Sequence, residues 1–456
     1  MATPTKIHLT PETAGVINLK LQTSETAAKT SELLQENHEQ NHIFFNQEGF
    51  HNHIVHHLLT LYGLGASKSQ IERAFKDNTN YQRPATAVKE RVVEDMSNPD
   101  HFKKYLGKEK YYHDFLIFFQ TEMEKKGWEN TLKEFLFAGD ERADDILGRM
   151  YAGFLHPIIH LGFGIEFKQP AIICEALAQA CVHDLWTSKY LLAVEKAIQS
   201  NPPKPTSATI PGLLTAIRTD KKLSTAAEWN DGNKIRDGIL VRAPSEMISY
   251  ASQWVASPST LKQQTVEMTN SAIYFTAAAQ KPPKQVKFDF YYMHCVNSSI
   301  FFQTFFALPF LSEENKCRML NFKVWLDLAM YASRRSPALL QEEISTYVPA
   351  KLPAETAVTN GHGTAKDTEW PGIFERLFEF GDDGHAVKLG RAVRNGEVVS
   401  EGFEGEGWCK VKGFMWEKIG NMVVDSVEAP GATWARSVGF DEAWEEYEDR
   451  PRMAQL

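Results

Sequence analysis

Apolar residues recur every three to four positions through most of this chain, and that period commits it to helices. "TSELLQENHEQNHIFFN" (30–46), "KYYHDFLIFFQTEMEKKG" (110–127), "PAIICEALAQACVHDLW" (170–186), "SEMISYASQWVAS" (245–257) and "EENKCRMLNFKVWLDLAMYASR" (313–334) all follow it. Strict alternation is short and rare, and strands do not alternate with helices, which argues against a parallel sheet or a (β/α)8 barrel. "NPPKPTSATIPG" and "QKPPKQ" are proline-rich connectors. "RNGEVVSEGFEGEGW" reads as a hairpin or an irregular acidic turn. No internal repeat or boundary is visible. The expectation is an all-α fold, one large helical domain over residues 1–456 with irregular connecting loops. Residues 348–368, low in hydrophobicity, are expected to form a mobile surface loop.

Composition narrows the function classes. Net charge is -9, with no long basic tract, so nucleic acid is not an expected partner. The five cysteines, Cys174, Cys181, Cys295, Cys317 and Cys409, lack paired spacing, which suits a reducing compartment. The first residues lack the apolar core of a secretory leader, so a cytoplasmic location is expected. The most apolar stretch, Phe288 to Leu311, carries Asp289, His294, Asn297, Ser298 and Gln303. Polar residues that dense predict a buried helix and no membrane span. The 28 phenylalanines point to a large aromatic core or an aromatic-lined pocket.

Six of the 15 histidines lie between Asn37 and His57. His38-Glu39-Gln40-Asn41-His42 matches the zinc-protease pattern, in which two histidines share a helix face and the glutamate activates water. Its neighbours Gln35, Glu36, Asn37, Gln40 and Asn41 are polar, so a solvated helix end is the better reading, with His38 and His42 near a pocket at most. His51-Asn52-His53 leads into "HIVHHLLTLYGLGAS", a helix that Gly63 or Gly65 would end. On it His53 shares a face with His56 or His57, while His51 points away.

In "GFLHPIIHLGFGIEF", Pro157 suits the first helical position and makes His156 the N-cap, with His160 one turn on. Two imidazoles so spaced either hold one metal or are buried, hydrogen-bonded core groups. "FGDDGHAVKLG" places His385 and Lys388 one turn apart behind a cap at Asp382 or Asp383. A lysine on a helix is usually solvated, and an ammonium has no lone pair for a metal. A buried lysine loses its proton more readily, and the neutral amine can add carbon dioxide to become a carbamate, an oxygen ligand. His294 is a ligand, a group supporting one, a substrate contact or a core histidine. No P-loop, G-x-S-x-G or dinucleotide fingerprint is present.

Taken together, "HNHIVHHLLTLYGLGAS", "GFLHPIIHLGFGIEF", "FDFYYMHCVNSSIFF" and "DDGHAVKLGRA" resemble the questin oxidase-like family of fungal polyketide pathways. The resemblance runs through nearly the whole chain in the same order. It implies an oxidoreductase of secondary metabolism that opens the central ring of an anthraquinone to a benzophenone-type carboxylate. It further implies non-haem Fe(II) with molecular oxygen as co-substrate. The implied ligands are His53, His156, His160, His385 and carboxylated Lys388, with His294 and His57 in reserve. Asp382, Asp383, Asp289 and Glu166 are candidates to orient the rings, and Tyr151, Phe154, Phe163, Phe301 and Phe302 to line a flat pocket. Dioxygenase and monooxygenase stoichiometries stay open, as does a reductase partner. An NADPH-dependent Baeyer–Villiger-type monooxygenase and a metallohydrolase with a carbamylated lysine are the alternatives.

Overall fold

The computed structural model describes residues 1–202, 208–350 and 369–450. The fold is all-α: every regular element among these residues is a helix, and pairing between extended segments is limited to isolated bridges. None of the described helices is long and apolar enough to cross a membrane. Of the expected loop at 348–368, residues 351–368 lie outside the described residues.

The chain forms two compact units, each assembled from three separate stretches. The first comprises Met1–Leu192, Ile300–Phe322 and Gly381–Arg391; the second comprises Ala193–Ser299, Lys323–Phe380 and Ala392–Leu456. Because the stretches interleave, no single linker marks a boundary in the sequence.

Six helices carry the candidate site: α1 (Ser24–Gln40), α2 (Ile54–Leu64), α3 (Tyr112–Lys126), α4 (Ala152–Glu166), α5 (Pro170–Val182) and α6 (His385–Ser400). In the first unit α5 packs along both α3 and α4, and α2 packs on α1 and α4. Every residue of α2 is buried, as its nearly continuous apolar run requires. Gly65 ends it in the left-handed conformation at φ 89°, which glycine adopts without steric cost.

Three local expectations are sharpened. His53 is the N-cap of α2: its carbonyl accepts from the His57 amide at 2.8 Å, and its ring lies beside that of His56, centroids 5.8 Å apart. The apolar stretch at 288–311 forms two helices, Tyr292–Ser299 and Phe301–Phe306. Of the two alternatives at "RNGEVVSEGFEGEGW", the irregular acidic turn is formed, after α6 ends at Ser400, and the hairpin is not.

In the second unit, the Leu261–Ala278 helix packs on the one at Tyr292–Ser299. Asp289 caps the latter: Oδ1 accepts from the Tyr291 and Tyr292 amides, and Oδ2 from those of Ser437 and Val438.

Candidate metal centre

The centre is built from local devices at three helix starts. At α2, Asn52 Oδ1 accepts from the Ile54 amide at 3.0 Å, and its Nδ2 donates to Asn37 Oδ1 on α1 at 2.7 Å. This ties the residue before His53 to a neighbouring helix and fixes where His53 stands.

At α4, Gly153, Phe154 and Leu155 are left-handed, with φ of 53°, 54° and 70°. His156 itself has helical angles, so this turn takes the place of the expected N-cap. The turn lets Pro157 fall in the first turn of the regular helix, where its missing N–H costs nothing. It also brings the Gly153 carbonyl to His156 Nδ1, at 2.6 Å.

At α6, Asp382 accepts from the Gly384 amide at 2.7 Å and the Ala386 amide at 2.9 Å, which makes it the capping residue. Gly384 sits at φ 88°, and a Cβ there would stand 2.6 Å from the Cβ of His57. Only glycine lets the start of α6 lie against α2.

These starts bring His53, His156 and His385 together. All three are buried, and one nitrogen from each lies within 4.8 Å of the others. The Nε2 atoms of His53 and His156 are 2.7 Å apart. His53 Nδ1 donates to Asp383 Oδ2 at 2.6 Å, and His385 Nδ1 donates to the other oxygen of the same carboxylate. One acidic side chain therefore orients two rings, and the Gly153 carbonyl orients the third. With Nδ1 donating in this way, the neutral form of each ring has its lone pair on Nε2. Burial pushes His53 down to about 3, with Lys388 adding to the effect, so at neutral pH it is an uncharged donor. Burial opposes ionisation of Asp383, but His385 and His53 outweigh it and hold the carboxyl well below its ordinary range.

Lys388 is buried one turn into α6. Burial lowers its ammonium to about 8, against the pull of Asp383 and Asp382. Its charge acts on His53, His56 and His57. Three buried imidazoles beside a lysine whose ammonium burial weakens fit a first-row divalent ion, completed by one anionic oxygen.

The other expected residues fall nearby or elsewhere. His160 lies outside the trio: its Nδ1 faces His56 Nε2 at 3.1 Å. His57 is buried, and burial pushes it down to about 3. His294 belongs to the second unit and donates from Nδ1 to the Phe290 carbonyl at 2.7 Å. Glu166 is ion-paired with Arg391 and accepts from the Val16 amide. Phe163 stacks on His56 with centroids 5.2 Å apart and meets the edge of Phe301 at 4.8 Å. Tyr151 donates its hydroxyl to the Met319 carbonyl, and Phe302 packs on Phe305 and Phe306.

Two readings of the histidine-rich stretch are corrected. His51 does not point away: its ring stacks on His156 at 3.8 Å and 6°, and its Nε2 lies 2.9 Å from His183 Nε2. His38 is not on a wet helix end. It is buried, with Nδ1 2.7 Å from Glu175 Oε1 and Nε2 3.0 Å from the Gln120 amide nitrogen. Glu39, the residue that would activate water in a zinc protease, is exposed.

Glu175 escaped the sequence reading. It is buried on α5, and Oε2 accepts from His160 Nε2 at 2.7 Å. Burial raises its pKa, but its bonds to His160 and His38 prevail and hold it down at about 2. The available signal was a single charge inside an otherwise uncharged helix, because a buried carboxylate is costly unless paired.

Comparison with known proteins gives concordant matches. The family described as "Questin oxidase-like" matches residues 50–393. The Baeyer-Villiger monooxygenase dmxR6 of Cryptosporiopsis sp. is 37% identical, covering 98% of this chain and 99% of that protein. The Baeyer-Villiger oxidase AgnL3 of Paecilomyces divaricatus is 35% identical, over 97% and 96%. The questin oxidase of Aspergillus terreus is 33% identical, over 97% and 98%.

Proposed function

Since this chain belongs to the questin oxidase-like family and is an oxidoreductase by its relatives, we propose that it is a non-haem iron oxygenase cleaving the central ring of an anthraquinone to a benzophenone-type carboxylate. The observation that carries the reading is the 2.7 Å approach of His53 Nε2 and His156 Nε2. Nδ1 of each ring donates to an oxygen, so in their neutral forms the two rings turn their Nε2 lone pairs toward each other in a buried site. A cation shared by both nitrogens relieves the repulsion of such a pair.

His53, His156, His160, His385 and carboxylated Lys388 are the ligands in this reading, with His57 and His294 in reserve. The neutral Lys388 amine adds to the carbon of carbon dioxide, forming an N–C bond and releasing a proton. The carbamate anion supplies the negative oxygen that a carboxylate provides in other iron sites. Fe(II) held there supplies the reactivity toward molecular oxygen that a closed-shell aromatic substrate lacks. Asp383 and the Gly153 carbonyl keep the rings oriented. Phe163, with Phe301 at its edge, offers an aromatic surface for a flat substrate, and Tyr151 and Phe302 back it. Two balances open the ring beside a quinone carbonyl: the two-electron-reduced anthraquinol, supplied by a reductase, takes up both atoms of O2 as the carbon–carbon bond breaks, or the quinone takes up one atom, two electrons reduce the other to water, and water opens the resulting ester.

Metal analysis with an oxygen-uptake assay on an anthraquinone tests this. Stoichiometric iron is expected, with oxygen consumption that depends on the anthraquinone together with a reductant, or on its reduced quinol. Iron-free protein with full turnover overturns the reading, and turnover under strict anaerobiosis points to a metallohydrolase. The names of the relatives favour a second stoichiometry, a Baeyer–Villiger-type monooxygenation in which NADPH or a reductase supplies electrons. Isotopically labelled oxygen separates the two: both atoms in the product mark a dioxygenase, and one atom with NADPH consumed marks a monooxygenase.

A further inference from the structure

We propose that Glu175 is a positioning residue of the metal centre, holding His160 with its proton on Nε2 so that Nδ1 becomes the donor atom facing the histidine cluster. The proposal rests on the iron reading above, and it gives His38 a role that the zinc-protease pattern does not.

The hydrogen bonds fix the protons one by one. The Gln120 amide N–H donates to His38 Nε2, at 3.0 Å. His38 therefore carries a proton on Nδ1 and donates it to Glu175 Oε1, at 2.7 Å. The other carboxylate oxygen, Oε2, accepts from His160 Nε2, also at 2.7 Å. Glu175 thus receives one imidazole N–H on each oxygen. His160 is left with a lone pair on Nδ1, which meets His56 Nε2 at 3.1 Å.

The opposite tautomer of His160 would put its proton on Nδ1 and leave a lone pair against the carboxylate. A bond to an ionised acceptor is roughly twice as strong as one between neutral groups. Glu175 therefore prevails over His56 in deciding where the proton sits. His160, Glu175 and His38 are all buried, so water does not dilute this preference. The result differs in kind from His53, His156 and His385, which turn Nε2 inward. His160 turns Nδ1, the atom nearer its backbone, toward His56. His56 is the nearest ring to it, and His56 Nδ1 is buried with no hydrogen-bond partner among the described residues.

The test uses full-length protein carrying nitrogen-labelled histidine. Tautomers are read by NMR after chelation, and Fe(II) affinity is measured by titration. His160→Gln assigns the His160 resonance. In the wild type, His160 is expected to be protonated on Nε2 and bare on Nδ1. Glu175→Ala should mix or reverse that state and weaken Fe(II) binding about 10–100-fold. Glu175→Gln retains one acceptor oxygen and should fall between the two, which guards against a failure of the alanine variant to fold. Iron binding in the wild type, with tautomer and affinity unmoved in folded variants, overturns the positioning role alone. A wild type that binds no iron but shows the tautomer switch overturns the oxygenase reading, and with it the metal-positioning role, while Glu175 still sets the His160 tautomer.

Discussion

The Nε2 atoms of His53 and His156 stand 2.7 Å apart, while Nδ1 of each ring is bonded to an oxygen: Asp383 for one, Gly153 for the other. Two donors so arranged make the centre sensitive to loss of either. His53→Ala is expected to lose most of the bound metal. Glu39→Ala, on an exposed side chain, should leave metal content and activity unchanged. Metal analysis of the two purified variants decides the point, and the reverse result would revive the zinc-protease reading.

Asp383 orients two rings at once. Asp383→Asn keeps the shape but offers one acceptor oxygen, so one imidazole N–H faces an amide N–H. Fe(II) affinity should fall about 10–100-fold, as it does when groups that orient metal-bound histidines are altered. Titration with Fe(II) against the wild type measures it, and an affinity within twofold of wild type, on the order of measurement error, removes Asp383 from the centre.

Lys388 is the least conventional member of the proposed ligand set. Lys388→Ala should lose most of the metal, and a small carboxylate such as acetate should restore part of it by replacing the carbamate oxygen. Wild-type protein reconstituted in buffer purged of carbon dioxide should take up less Fe(II) than the same protein with bicarbonate. Equal uptake under both conditions counts against carboxylation.

Much of the helical frame was legible, because a 3.6-residue apolar period encodes a helix locally. The start of α6 was legible too: a cap at Asp382 or Asp383 is expected, and Asp382 supplies it. The surroundings of the histidines were not. His38 reads as solvated because Gln35, Glu36, Asn37 and Gln40 flank it, yet its partners Gln120 and Glu175 come from α3 and α5, far along the chain. His51 and His183 meet 132 positions apart. Helical spacing says which residues share a face. It does not say what that face meets, and the interleaved units left no linker to reveal the division.

The left-handed turn before His156 supports a stability prediction. Gly153 has φ 53°, and a Cβ there would come within 2.4 Å of His183 Cε1 and 2.9 Å of His51 Nε2. A left-handed alanine costs about 1–2 kcal/mol before any clash. Gly153→Ala should therefore destabilise the fold by about 2 kcal/mol or more and move the carbonyl that orients His156. Denaturant unfolding reads the first effect and Fe(II) titration the second. A variant unchanged in both would show that the turn is not needed.

Stability should also depend on pH through Glu267, in the second unit. Its Oε1 accepts from the Ile210 amide at 2.7 Å, yet burial raises the carboxyl from 4.5 to about 7, outweighing that bond and the one from Trp254. Below about pH 4.5 the group is protonated in both folded and unfolded chains, and its contribution is fully present. From there to about pH 7 the unfolded chain ionises while the folded one keeps its proton, so stability falls; above that the loss is complete. The shift corresponds to about 3 kcal/mol at most. Glu267→Gln cannot ionise and still presents an acceptor oxygen to the Ile210 amide. Denaturant unfolding at pH values on either side of this window should show the wild type losing more stability than Glu267→Gln as pH rises. Parallel curves would mean that Glu267 ionises as freely in the folded chain as in the unfolded one.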